Sequence, residues 1–310
     1  MVGQPQPGVP VPGVPAGSGK GFTAAIRRHP VPAYYLLTFA ISWGGIAAIQ
    51  GVGPVPTGVA VTAGPLGPAA ACVLLTWLLH GKAGLRQLGI RLRTWPAGAR
   101  WYAVALLAGP VVMAATAAAV TWAFPGFYPG FATPGELAFI VLAGVVVGIA
   151  VGSLEELGWT GFALPQLRRR YGVLATGLIM GMLWGAWHYP MFAGSADPSG
   201  AVPAALVVAV YLFAWLPPYR VLMVWVYDHT RSLPLAMMMH APLSAAAFVL
   251  SFMAASGTGS GLALLVPSLA WGAAFWAIAA VVLLVRAARP PRKGTLAGTP
   301  QAMPDGNSPM

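Results

Sequence analysis

Ser153-Leu154-Glu155-Glu156-Leu157-Gly158-Trp159 closes the apolar run 139–151 with two adjacent carboxylates. The chain has only six acidic residues, and two of them stand side by side in this hydrophobic segment. An ionisable group at membrane depth is costly to keep there, which marks the pair as a candidate functional site. The surroundings say why the depth is that of a membrane. The chain is 58% hydrophobic and 7% charged, whereas a soluble domain carries roughly 25% charged residues. The fold class is therefore all-α, a polytopic integral membrane bundle of about eight spans, with the site inside the bundle. Abundant Gly and Ala suit close helix approach in lipid. Cys72, the single cysteine, excludes an intramolecular disulfide and a Cys-rich metal site.

The net charge of +11 does not point to nucleic acid. Arg27, Arg28, Lys82, Arg86, Arg91, Arg93, Arg100, Arg168–Arg170, Arg286 and Arg289 sit at the ends of apolar runs or in the tails, the distribution that orients membrane proteins. Spans are expected at about 32–52, 57–79, 101–123, 136 onward, 173–192, 202–227, 233–253 and 262–285. Gly64-Pro65 and Gly67-Pro68 are expected to kink the second, and Pro217-Pro218 to interrupt the sixth. The segment 80–100 reads as a basic, amphipathic piece on the membrane surface. Lys and Arg alternate between successive loops so that both termini face the cytoplasm from a cell membrane. Residues 1–25 and 288–310 read as disordered tails, and 26–287 as one membrane domain with a motif core at 135–250. The N-terminal tail lacks the basic and apolar regions of a signal peptide. No internal repeat is visible.

Two of the five histidines, His188 and His240, fall inside spans. A lone histidine in an apolar helix is more often a packed residue than a working one, but two beside one buried acid pair raise the odds together. At ~1.5 Å per residue, Glu155 lies roughly 20 Å from Arg168, and His188 roughly 22 Å from Val173 on the same side, so the hairpin brings them level. His240 lies only roughly 10 Å past Leu233, a mismatch explained either by Arg168–Arg170 reaching beyond the hydrocarbon or by a tilted helix. Helical spacing gives each group a neighbour one turn away: Trp184 for His188, Thr160 for Glu156, Ser244 for His240. Two carboxylates and two imidazoles in a dry pocket suit a glutamate that deprotonates water, with the histidines binding a metal or polarising the attacked carbonyl. Neither HExxH nor GxSxG is present.

Glu155-Glu156-Leu157-Gly158-Trp159-Thr160-Gly161-Phe162, Leu183-Trp184-Gly185-Ala186-Trp187-His188-Tyr189-Pro190 and His240-Ala241-Pro242-Leu243-Ser244 resemble the three motifs of the CPBP intramembrane protease family. That family includes type II CAAX prenyl endopeptidases and bacteriocin-processing or self-immunity proteins. Its patterns are EExxxR, an aromatic residue followed four on by His, and HxxxN or HxxxD. The resemblance implies an intramembrane endopeptidase acting on a peptide or protein substrate. Glu155 or Glu156 would activate water. His188 and His240 would be oxyanion stabilisers or, with Glu156, ligands of a divalent metal such as zinc. Two departures stand out. Thr160 replaces the arginine that would anchor a glutamate, and Ser244 replaces the amide or acid. Arg220 either supplies the missing charge or snorkels to the interface. The departures leave open a catalytically impaired relative acting in immunity or as a scaffold, and a transporter with the buried acids as ion sites.

Overall fold

The computed structural model describes residues 21–51, 63–95, 98–125, 133–192, 203–255 and 261–288. The expected tails therefore lie outside the described residues up to 20 and from 289, as do parts of the loops 124–135, 193–201 and 254–261. Among the described residues every regular element is helical: α1 Phe22–Arg28, α2 Pro30–Gly51, α3 Leu66–Leu92, α4 Ala99–Ala123, α5 Pro134–Gly158, a π-helical turn Trp159–Ala163, α6 Leu164–Leu167, α7 Val173–Trp187, α8 Tyr189–Phe192, α9 Ala204–Phe213, α10 Leu216–Thr230, α11 Leu233–Ala255 and α12 Gly261–Ala288. Six helical stretches among them are long and apolar enough to cross a membrane: Pro30–Gly51, Leu66–Leu92, Ala99–Ala123, Pro134–Leu167, Leu233–Phe252 and Leu265–Ala288. The chain is a multi-pass membrane protein.

Prolines account for the main differences from the expected spans. Pro65 caps α3 and Pro68 lies in its first turn, so their missing amides fall where a helix has unpaired donors anyway. No kink results there. The break comes at Gly81, whose φ of 59° lies in the left-handed region, and the basic stretch continues as a helical arm to Leu92. The expected sixth span is two helices, because Pro217 and Pro218 occupy the first turn of α10 and cannot prolong α9. The hairpin helix expected as the fifth span, Val173–Trp187, is apolar but shorter than the six spans.

Two glycine seams set the helix packing. On α5, Gly144, Gly148 and Gly152 face α11: a Cβ on Gly144 would come within 3.0 Å of Val249, and one on Gly152 within 2.8 Å of the Ala241 amide nitrogen. On α7, Gly177 and Gly181 face α10, where a Cβ would meet the Cα atoms of Val221 and Pro217 at 2.5 Å. Gly185 continues the row against Leu212. The four-residue spacing keeps each row on one helix face. The first seam mates the helix of the carboxylates with the helix of His240. The second mates the helix leading to His188 with α10, which is buried over most of its length. The Tyr219 hydroxyl donates to the Met239 carbonyl at 2.7 Å and so ties α10 to α11 next to His240.

Candidate active site

Glu155 and Glu156 lie on the last turn of α5, 1% and 0% exposed. Adjacent helical residues point about 100° apart, and the two carboxylates have different surroundings as a result. Glu156 is held on both oxygens. Arg220 Nη1 lies 2.9 Å from each, the Thr160 hydroxyl donates to Oε2, and His240 Nδ1 donates to Oε1 at 2.7 Å. Glu155 accepts two indole N–H groups on a single oxygen, Oε2: Trp159 Nε1 at 3.1 Å and Trp184 Nε1 at 2.8 Å. The same oxygen lies 3.9 Å from His240 Nε2.

The histidines share an orienting device. His188 Nδ1 donates to the Trp184 carbonyl at 2.8 Å, and His240 Nδ1 donates to Glu156. A carbonyl or carboxylate accepts only, so Nδ1 carries a proton in both rings. Trp184 stands between them, with its ring edge-on to His188 at 5.6 Å and to His240 at 5.0 Å. His188, His240, Trp184 and Ser244 line one cavity of about 380 Å³, with Val147, Leu212, Trp215, Leu216, Leu243, Ala247, Phe248, Ser251 and Phe252. Apart from the two imidazoles, no ionisable side chain among the described residues lines it.

The structure thus brings together Glu155, Glu156, Thr160, Trp184, His240 and Arg220 by direct contacts, and adds His188 and Ser244 through the shared cavity. His240 stands level with the acid pair, its Nδ1 2.7 Å from Glu156 Oε1. Arg91, at the end of the α3 arm, donates to the Gly161 carbonyl at 2.6 Å and to the Thr160 carbonyl and Tyr227 hydroxyl at 3.1 and 3.0 Å. Cationic charge therefore lies about one turn past Glu156, roughly 7 Å from Glu155 along the axis. Sequence reasoning missed Trp159 and Arg91. Trp159 was within reach, one turn from Glu155, since residues four apart share a face. Arg91 gave no signal, because its partners are backbone carbonyls of a distant helix.

The ligand set His188, His240 and Glu156 does not fit a metal ion as these residues stand. Glu156 has both oxygens committed to Arg220, Thr160 and His240, and a guanidinium beside it opposes a second cation. Among the described residues no three His, Cys, Asp or Glu side chains are grouped so as to hold one ion.

Residues 133–246 match the family described as type II CAAX prenyl endopeptidase Rce1-like. A curated relative, the CAAX prenyl protease 2 of Methanococcus maripaludis, is 24% identical over 94 residues. That alignment covers 30% of this chain and 35% of the relative, about a third of its length. The match encloses all three motifs.

Proposed function

Residues 133–246 belong to the CPBP family of membrane proteases, and on that premise we propose that the chain is an intramembrane endopeptidase in which Glu155 activates the attacking water. The observation that carries this reading is the division of labour between the two carboxylates. Glu156 is held on both oxygens and positions His240; Glu155 keeps one oxygen outside the hydrogen bonds made among the described residues. The 3.9 Å between Glu155 Oε2 and His240 Nε2 is too long for a direct hydrogen bond and suits one water touching both.

In this mechanism Glu155 takes a proton from the water as its oxygen attacks the peptide carbonyl carbon. The carbonyl oxygen gains negative charge, and His240, carrying a second proton on Nε2 between the two carboxylates, donates to it, with His188 beside it on the cavity wall. Glu155 then passes its proton to the leaving amine. No step is routed through a metal. The apolar cavity suits a substrate segment without charge, such as the lipid-modified or membrane-buried part of a protein. The placement of Lys and Arg supports a cell-membrane location with the basic end and both termini in the cytoplasm.

The test is cleavage by the full chain in lipid vesicles, offered a quenched peptide ending in a prenylated CAAX sequence and a membrane-helix reporter. Cleavage of at least one is expected, with Glu155→Gln lowering turnover by ~10²–10⁴ at an unchanged unfolding midpoint. Wild-type turnover in Glu155→Gln would overturn the mechanism. Absence of cleavage alongside proton-coupled uptake would favour transport.

A further inference from the structure

We propose that Arg220 is a positioning residue that fixes both carboxylates from a separate helix: Glu156 by its charge, and Glu155 through Trp184. Arg220 is 0% exposed, in the middle of a hydrophobic bundle. A buried cation of this kind is retained only with a partner, and its one ion-pair partner among the described residues is Glu156. The contact is single-pronged. Nη1 reaches both Glu156 oxygens, while Nε and Nη2 are buried with no hydrogen bond among the described residues. Fork geometry is therefore not what the site uses; the charge is. The guanidinium carbon lies over the Trp184 ring, 4.5 Å from its centre, within cation–π range. The same indole donates to Glu155 at 2.8 Å. One side chain thus clamps Glu156 electrostatically and holds in place the ring that orients Glu155.

Thr160 completes the arrangement. It stands one turn past Glu156 on the same helix, where its hydroxyl donates to the carboxylate but brings no charge. Arg91, the other cation near this turn, is engaged with the carbonyls of residues 160 and 161 and with Tyr227. The neutralising charge therefore enters from α10. It is held at the right height by the Gly177–Gly181 seam and by the Tyr219 bond to Met239.

The inference concerns the geometry of the same site and rests on the protease reading for its kinetic arm alone. Its test is charge relocation in the full chain. Unfolding is followed by reaction of a thiol dye with Cys72, the single and buried cysteine, and turnover by the peptide reporters above. Arg220→Met is expected to lower the unfolding midpoint by roughly 10 °C, since it leaves a buried carboxylate without its cation. It should also reduce kcat ~10–100-fold with KM little changed, because Arg220 does not line the cavity. The double variant Arg220→Met/Glu156→Gln should regain most of the midpoint but not the turnover. Arg220→Met/Thr160→Arg, which returns the charge from the carboxylate's own helix, should regain both. Arg220→Lys, which keeps charge and loses stacking, should fall between wild type and Arg220→Met. Additive midpoint losses for Arg220→Met and Glu156→Gln, with no recovery by Thr160→Arg or by Lys, would overturn the proposal. If no variant or wild type cleaves a reporter, the midpoint arm still decides whether Arg220 serves Glu156, and only the protease reading fails.

Discussion

At the scale of single residues, the site turns on two neighbouring glutamates with different surroundings. Scarcity made the pair legible in the sequence, and helical spacing made Thr160 and Trp184 legible as neighbours. Which glutamate is held and which is available was not legible, because that depends on what stands about 100° around the helix axis. Arg220 shows the same boundary. Its position in an apolar span is visible in the sequence, but whether the side chain turns inward to Glu156 or outward to the interface is decided by a partner 64 positions away. The commitment of Glu156 has a direct consequence for metal dependence. Prolonged treatment with EDTA or phenanthroline, followed by gel filtration, should leave turnover unchanged. Activity lost on chelation and restored by added zinc would show that Glu156 is released from Arg220 in the working enzyme.

At the scale of helices, length and hydropathy located most spans, and glycine spacing was present in the sequence before its meaning was. The break between α9 and α10 was legible at Pro217-Pro218, but the start of α3 and the π turn were not; the π turn depends on its backbone acceptors finding partners in another helix. There Arg91 takes up the carbonyls of Thr160 and Gly161. The seams give a prediction at this scale. Gly152→Leu must move α11 away from α5, because a Cβ alone would come within 2.8 Å of the Ala241 nitrogen. The variant should lose ~1–3 kcal/mol of stability and, by separating Glu156 from His240, most turnover. Gly89→Ala, where an added Cβ meets nothing within 4 Å, is the control and should match wild type. Equal behaviour of the two in thermal unfolding and turnover would remove the seam from the account.

At the scale of the whole molecule, the basic end is fastened by a charge cluster that joins parts distant in sequence. Arg168 grips Asp228 through two hydrogen bonds, Nε to Oδ1 at 3.0 Å and Nη2 to Oδ2 at 2.6 Å, and Arg286 lies 3.5 Å away. The sequence showed Asp228 only as an acid diluting a basic loop; its pairing with α6 and α12 comes from the fold. Partial burial would raise the Asp228 carboxyl, but hydrogen bonds and charge from Arg168, with Arg231 and Arg286 adding, hold it below the usual carboxylate range. A carboxyl lowered by folding adds stability above its unfolded value, near 4, and that stability is lost as pH falls toward the folded value. Asp228→Asn should therefore unfold earlier than wild type at pH 7, with the gap closing as pH drops below about 4, measured by tryptophan emission on heating. A gap independent of pH would mean that the cluster works by shape and not by charge.

The glycine seams also govern traffic. Where α5 meets α11, and α7 meets α10, backbone lies against side chain and backbone with no room for a guest. Yet the cavity is walled by residues of α5, α7, α9, α10 and α11. A bulky substrate arriving sideways from the bilayer cannot pass through either seam. The closeness that assembles the chemistry also chooses the direction from which a guest must approach.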